Sequence, residues 1–285
     1  MDDHAKYGAV LITGASTGIG RDIALHLDRL GFNVYATVRN ERDAHDLCLE
    51  ASPGLVSVLM DVTDPDSIER ARDQVSQAVG KDGLAGLVNN AGVGFISPLE
   101  YVPMDELRWL FDVNFFGLLA VTQAFLPLIR QGRGRIVNIS STASIFVVPF
   151  HGPYTASKFA VNALSDALRL ELKPLDVQLS VIVCGNIKTP IWEKGISISD
   201  QVSKRLPPQA MELYGEGYRR VFNYFARIGK IGVPPEMVSR NVVHALTARR
   251  AKNVYYVGPD AKLYSFMDKF LFGRLRDSVV MRNIS

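Results

Sequence analysis

Ala9-Val-Leu-Ile-Thr13 is a short apolar run, followed at once by Gly14-Ala-Ser-Thr-Gly18-Ile-Gly20 and then by apolar positions at Ile23, Ala24, Leu27 and Leu30. An unbroken apolar run suits a strand buried on both faces, and the later spacing suits a helix with one buried face. Glycines in the connecting turn permit φ > 0 and let a phosphate approach the backbone closely. The helix N-terminus then offers free N–H groups and the positive end of its dipole. A tight turn without a ligand would use the same glycines, so their spacing alone assigns nothing. The strand-to-helix context is the one a dinucleotide site requires.

The alternation continues along the chain. Residues 33–38, 56–60, 84–90, 135–140 and 178–184 read as further strands, with 253–257 as a seventh. Helical patterns separate them, notably over 105–129 and about 152–172. No linker, repeat or low-complexity segment interrupts the rhythm. This predicts an α/β fold: one doubly wound, seven-stranded parallel sheet in a single domain, 1–285. The chain's 285 residues are 47% hydrophobic and 21% charged, ordinary for a globular protein with a large core.

Other classes are disfavoured. A net charge of +3 with no long basic block does not suit a nucleic-acid partner. Cys48 and Cys184 give neither a disulfide framework nor metal spacing. Histidines 4, 26, 45, 151 and 244 show no paired ligand pattern, so no metal is expected and all five read as structural or surface residues. Met1-Asp-Asp-His is acidic, unlike a signal peptide. The longest apolar-rich stretch, 115–129, is interrupted by Thr122, Gln123 and Pro127 and falls short of the ~18–20 residues that span a bilayer. A cytoplasmic protein is the expectation.

In an open α/β sheet, ligands bind outside the carboxyl ends of the strands, and an acidic residue near the second strand grips the ribose of NAD. Val38 and Arg39 occupy that place here. Arg39 can pair with the 2′-phosphate of NADP, with a hydroxyl from Ser16 or Thr17. One charge-assisted contact contributes about 1.5–3 kcal/mol, roughly a 10- to 150-fold preference. NADP(H) is therefore expected, with NAD(H) still open; a solvated loop arginine is the plain alternative. Asp61 can accept from the adenine amino group or cap the helix starting near Asp64-Pro65. Asn89-Asn90-Ala91-Gly92 ends the fourth strand; asparagine there usually bonds backbone groups, while Ala91 and Gly92 leave room for a cofactor ring. Asn114 is a polar residue in an apolar surround, either a satisfied core amide or a support for the active lysine.

Tyr154-Thr-Ala-Ser-Lys158 follows Ser141 by thirteen positions. On a helix, Tyr154 and Lys158 share a face, roughly 5–6 Å apart at Cβ. An ammonium beside a phenol favours the phenolate and lowers a pKa that is normally about 10. Lowering it to about 7 requires about 4 kcal/mol, which one desolvated cation and a second positive group could supply. A nearby serine hydroxyl can hold a carbonyl or alcohol oxygen against the tyrosine. The set suits proton transfer at a C–O bond, but it carries no reducing power.

The stretch 191–235 breaks the strand–helix rhythm. It contains Trp192, Met211, Leu213, Tyr214, Tyr218, Val221, Phe222 and Phe225. A long insertion after a strand's C-terminal end is well placed to be a lid, and this lining points to an apolar substrate as well as to packing against the body. The tail, 262–281, mixes Phe266, Phe270, Leu271, Phe272 and Leu275 with Lys269, Arg274 and Arg276. A basic amphipathic helix can lie on a membrane surface, although packing on the same or a partner subunit is commoner.

Taken together, these residues resemble the short-chain dehydrogenase/reductase family over about 9–184. Thr13-Gly14-x-x-x-Gly18-Ile19-Gly20 resembles its cofactor loop, Asn90-Ala91-Gly92 its N-A-G motif, and Asn114 its helix asparagine. Ser141, Tyr154 and Lys158 fit its catalytic serine, tyrosine and lysine. The resemblance implies a Rossmann-like fold with hydride passing between C4 of a nicotinamide and a carbinol carbon. Tyr154 would be the acid/base; Lys158 would lower its pKa and bind the nicotinamide ribose. Ser141 would orient the substrate oxygen, and Asn114 would hold a water in a proton relay. The oxidised nicotinamide would be the second positive group. Asp61 and Val62 would lie along the adenine, and Gly185, Ile187 and Thr189 along the nicotinamide and phosphates. A homodimer or homotetramer is also expected.

Two departures stand out. Cys184-Gly185 replaces the family's Pro-Gly after the sixth strand, which should loosen that turn, and Ser144 replaces a glycine often found three residues after the serine. Val34-Tyr35-Ala36-Thr37-x-Arg39 and the apolar lid resemble the steroid and retinoid branch. A hydrophobic secondary alcohol or ketone is the first expectation, with a retinal-type aldehyde, a fatty acyl ketone or a small carbonyl open. A non-catalytic dinucleotide-binding regulator would be expected to lose the tyrosine or lysine. A nucleotide-sugar epimerase or dehydratase usually carries a larger C-terminal domain than the roughly 100 residues after the sixth strand here.

Overall fold

Every residue of β1 (Ala9–Ile12) is buried, and its side chains alternate between two cores. Val10 and Ile12 join Ile23, Leu27 and Val242 on one face of the sheet; Ala9 and Leu11 join Ile68, Val121 and Phe125 on the other. Helices must therefore cover both faces. A computed structural model describes residues 7–229, 231–270 and 273–284, without the side chains of 269, 276, 279 and 282–284. The expectations for Met1 to His4, Leu271 and Phe272, and for the side chains of Lys269 and Arg276, lie outside the described residues.

After β1 come α1 (Gly18–Arg29), β2 (Asn33–Val38), α2 (Glu41–Cys48), β3 (Leu55–Leu59), α3 (Pro65–Val79) and β4 (Gly86–Asn89). Then follow α4 (Met104–Phe111), a π-helical turn (Asp112–Phe116), α5 (Gly117–Gln131), β5 (Arg135–Ser141), α6 (Gly152–Leu172) and β6 (Gln178–Cys184). The chain continues as α7 (Ile191–Lys204), α8 (Pro208–Ile228), α9 (Glu236–Thr247), β7 (Val254–Val257), α10 (Pro259–Phe270) and α11 (Arg274–Ile284). The strands form one seven-stranded sheet in the order β3-β2-β1-β4-β5-β6-β7, every pair parallel. Strand order reverses between β1 and β4, and a crevice opens at the carboxyl ends there.

The predicted strands are all present, with ends shifted by one or two residues; β4 is shorter than 84–90 because the Leu84 and Ala85 amides bond Leu128 and Ala9 carbonyls. Three expectations change. The 105–129 helix is continuous in direction but contains the π turn. Asp61 is not the helix cap: Asp64 caps α3 by accepting from the Asp66 amide, whereas Asp61 accepts from the Thr63 amide and hydroxyl. Met104–Gln131, longer than the 115–129 stretch, is long and apolar enough to cross a membrane, with half of its most apolar window buried. Its Val121, Phe125 and Ile129 pack in the sheet core, so its apolarity serves packing.

Candidate active site

The glycine turn is built as a cradle. Gly14 and Gly18 have φ of +66° and +61°. Thr37, at the end of β2, accepts from the Gly14 amide through its hydroxyl (3.3 Å) and from the Ala15 amide through its carbonyl (2.8 Å). Asn90 Nδ2 donates to the Thr13 and Gly14 carbonyls at 2.9 and 3.1 Å, and the Asn90 and Ala91 amides donate to Thr13 Oγ1. Asn90 thus fastens the β1 turn to the β4 turn. A Cβ on Gly20 would overlap the Gly14 carbonyl and the Asn90 amide group. One cleft of about 300 Å³ runs from this turn past β5 to α8. Gly14, Ser16, Thr17, Gly18, Ile19, Gly20, Arg39, Asp61, Val62, Asn90, Ala91, Gly92, Ser141, Tyr154, Lys158, Gly185, Ile187 and Thr189 all line it. Asn114 does not.

The residues fit a dinucleotide. The helix end is free of side-chain caps, and Thr189 Oγ1 is buried in the wall with no hydrogen-bond partner in the protein. Arg39 is exposed at the cleft edge.

At the other end, α6 brings Tyr154 and Lys158 onto one face, with Lys158 Nζ 5.7 Å from the centre of the Tyr154 ring. Lys158 is 4% exposed and donates to the Ile139 carbonyl at 3.2 Å. The Ser141 hydroxyl, at the end of β5, stands close enough to the Tyr154 phenol to pull its pKa down. Asn114 is fully buried in the π turn, a form frequent at functional sites. Its Oδ1 accepts from the Val93 amide, and its Nδ2 donates to the Val93 carbonyl and Ser157 Oγ at 2.8–3.0 Å. Ser157 Oγ in turn donates to the Tyr154 carbonyl. Asn114 therefore clamps the β4 loop to α6. A Cβ on Gly94 would press against the Tyr154 ring, 3.0 Å from its nearest carbon.

Burial governs the protonation states. Desolvation pushes the Tyr154 phenol up to about 12, offset in part by the Ser141 hydroxyl. It pushes Lys158 down to about 8. The lowering expected from the lysine neighbour does not outweigh burial. The ammonium faces a carbonyl and the ring, and burial penalises both charged forms.

Both departures are compensated. Ser144 Oγ donates to the Ser141 carbonyl and accepts from Asn162 Nδ2, whose Oδ1 accepts from Ser140, so the wall after β5 is pinned to α6. At the turn after β6, Asp260 accepts from the Asn186 amide at 2.6 Å, and a Cβ on Gly185 would overlap its carboxylate. An aspartate at the start of α10 thus holds a turn that was expected to be loose.

Several contributors were missed. His151, read as structural or surface, stacks on Tyr154 (centroids 4.7 Å apart) and touches Phe225, and burial lowers its pKa to about 4. Its place one turn before Tyr154 was the available signal. Phe146 and Tyr264 stack at 4.5 Å and line the cleft. The 191–235 stretch forms α7 and α8, with Trp192, Phe222 and Phe225 lining the substrate end. A short parallel bridge, Ile187 to Val233, pins its base.

Tyr154, Ser141 and Lys158 can move a proton but no electrons, and the crevice beside them is shaped for a carrier. That division of labour defines a nicotinamide-dependent oxidoreductase. The family model described as short chain dehydrogenase matches residues 8–197. Retinol dehydrogenase 5 of Mus musculus is 38% identical over 277 residues, 95% of this chain and 87% of that protein. Estradiol 17-beta-dehydrogenase 2 of Mus musculus is 35% identical, covering 96% of this chain and 74% of that one. NADPH-dependent 3-dehydrocapnine reductase of Ornithobacterium rhinotracheale is 33% identical, covering 96% of each. A short-chain dehydrogenase structure from Streptomyces avermitilis superposes with a TM-score of 0.77 at 25% identity, covering 99% of this chain and 96% of that one. The chain belongs to the short-chain dehydrogenase/reductase family, in its retinol/steroid branch, and is an NAD(P)-dependent oxidoreductase.

Proposed function

We propose that the protein interconverts a hydrophobic secondary alcohol and its ketone, of steroid- or retinoid-like character, using NADP(H). The observation that carries this reading is the aromatic and aliphatic lining, Phe146, Trp192, Phe222 and Phe225, that meets the Ser141–Tyr154 pair at the substrate end of the cleft. Such a lining favours apolar substrates through burial, at about 25 cal/mol per Å². The names of the relatives support the same class.

Ser141 and Tyr154 hold the substrate oxygen between two hydroxyls. A nicotinamide held in the cleft between the glycine turn and Ile187 would supply or accept the hydride. In reduction, Tyr154 donates its phenolic proton to the developing alkoxide; in oxidation, it takes the alcohol proton back. Lys158 holds positive charge beneath the tyrosine ring, and Asn114 keeps Val93 and α6 in register. Arg39 supports NADP over NAD, since it stands where a ribose-binding carboxylate would and no acidic residue replaces it.

The test is oxidation of NADPH and NADH in the presence of steroid ketones, retinal, simple aldehydes and long-chain acyl ketones. Turnover confined to apolar carbonyls, with NADPH at least tenfold better in kcat/KM, is expected. Preferential turnover of small polar carbonyls would overturn the substrate reading. Arg39→Asp should then shift preference toward NADH, and an unchanged ratio removes the 2′-phosphate contact.

A further inference from the structure

Lys194, in the first turn of α7, reaches across the mouth of the cleft and donates to the Thr17 hydroxyl at 2.9 Å. Thr17 stands at the N-cap of α1, yet its side chain caps none of that helix's amides. Threonine there ordinarily accepts from the second or third N–H. The first turn of α1 also carries no acidic residue, so its amides and its positive dipole end are uncovered. A cation beside a helix N-terminus sits at the wrong end of the dipole, and among the described residues Lys194 makes no ion pair that would explain its place. Across the same gap, Thr189 Oγ1 is buried with no partner, and a Cβ on Gly18 would press on the Thr189 side chain at 3.2 Å. An ammonium and uncapped amides converge at the mouth of the cleft beside the Thr189 side chain, a setting that an anion would satisfy.

We propose that Lys194 grips the diphosphate bridge of the dinucleotide and so latches the lid over the loaded cleft. This rests on the reading of the cleft as a nicotinamide dinucleotide site. The consequence for substrate lies in what else α7 carries. Trp192 lines the substrate end and stacks near Phe225, with centroids 5.8 Å apart; Ser199 accepts from the Ile96 amide at 3.0 Å. The helix that meets the phosphates therefore also builds the wall of the substrate end. Anchoring its first turn completes that wall once the dinucleotide is in place.

The test measures dissociation constants of NADPH and NADH by fluorescence, and of ADP-ribose and adenosine 2′-monophosphate by calorimetry. The wild-type protein is compared with Lys194→Met and Lys194→Arg. Lys194→Met should weaken NADPH, NADH and ADP-ribose alike by about tenfold and leave adenosine 2′-monophosphate unchanged; Lys194→Arg should restore most of the loss. Unchanged constants for the three diphosphates overturn the proposal. So does a loss confined to NADPH and adenosine 2′-monophosphate, which moves the lysine to the 2′-phosphate. If the wild-type chain bound neither nucleotide, the underlying reading of the cleft would fail, a result distinct from both.

Discussion

In the protein alone, Tyr154 keeps its proton up to about pH 12 while Lys158 keeps its own only to about 8. Burial favours the uncharged form of both groups, so the phenol holds its proton at neutral pH, as a donor to a developing alkoxide must. Tyr154→Phe removes the proton without disturbing the cradle, so turnover should fall by at least a thousandfold, in the range general acid–base loss allows, while NADPH affinity stays within about threefold. Single-turnover rates and fluorescence titration separate the two. His151 gives a second prediction. Its folded pKa of about 4 lies below the ordinary 6.5 because burial penalises the imidazolium. Between those values the unfolded chain binds a proton that the folded chain does not, so stability present above pH 6.5 is lost as the pH falls through about 4. The loss is at most about 3 kcal/mol, less for a ring that keeps some exposure. His151→Phe should flatten this part of the curve in urea melts at pH 7 and 4.5; equal slopes for both proteins would sink the assignment. Tyr154, Lys158 and Ser141 were legible because they recur at fixed intervals on one helix and one strand end. His151 and Lys194 were not, because their meaning lies in contacts across the cleft.

The turn after β6 shows how one element is held by another distant in sequence. Asp260 at the start of α10 supplies the acceptor that the Asn186 amide needs, and replacing it with alanine strands a partly buried N–H at about 1–3 kcal/mol. Asp260→Ala should raise KM for NADPH several-fold and speed amide exchange over 185–189, with exchange in β1 unchanged. Uniform loosening of the whole sheet would contradict a local role. The strand-to-helix alternation made the sheet readable, and α6 falls where its 152–172 pattern puts it. The π turn escaped notice because one extra residue in a helix leaves the apolar spacing nearly intact. Helices α7 and α8 escaped because two successive helices interrupt the alternation on which the sequence reading relied.

The cleft draws on the ends of β1, β2, β4, β5 and β6, so filling it should stabilise the fold as a whole. At a hundred times its dissociation constant, NADPH would add about 2.7 kcal/mol, and the melting midpoint should rise by several degrees; no rise at saturating nucleotide would argue against a cleft that ties those strands together. The expected homodimer or homotetramer has candidate surfaces in the exposed Phe116, Phe159 and Leu170. Light scattering at micromolar concentration should give a multiple of the chain mass, and a strictly monomeric species removes that expectation. Asp260, Tyr264 and Phe225 all lie beyond residue 197, where the family match stops. A gene interrupted just past that codon would keep every motif by which such enzymes are recognised. Its product would still lack the peg that steadies the bend after β6, and with it Phe222, Phe225 and Tyr264 from the greasy chamber in which a substrate would rest.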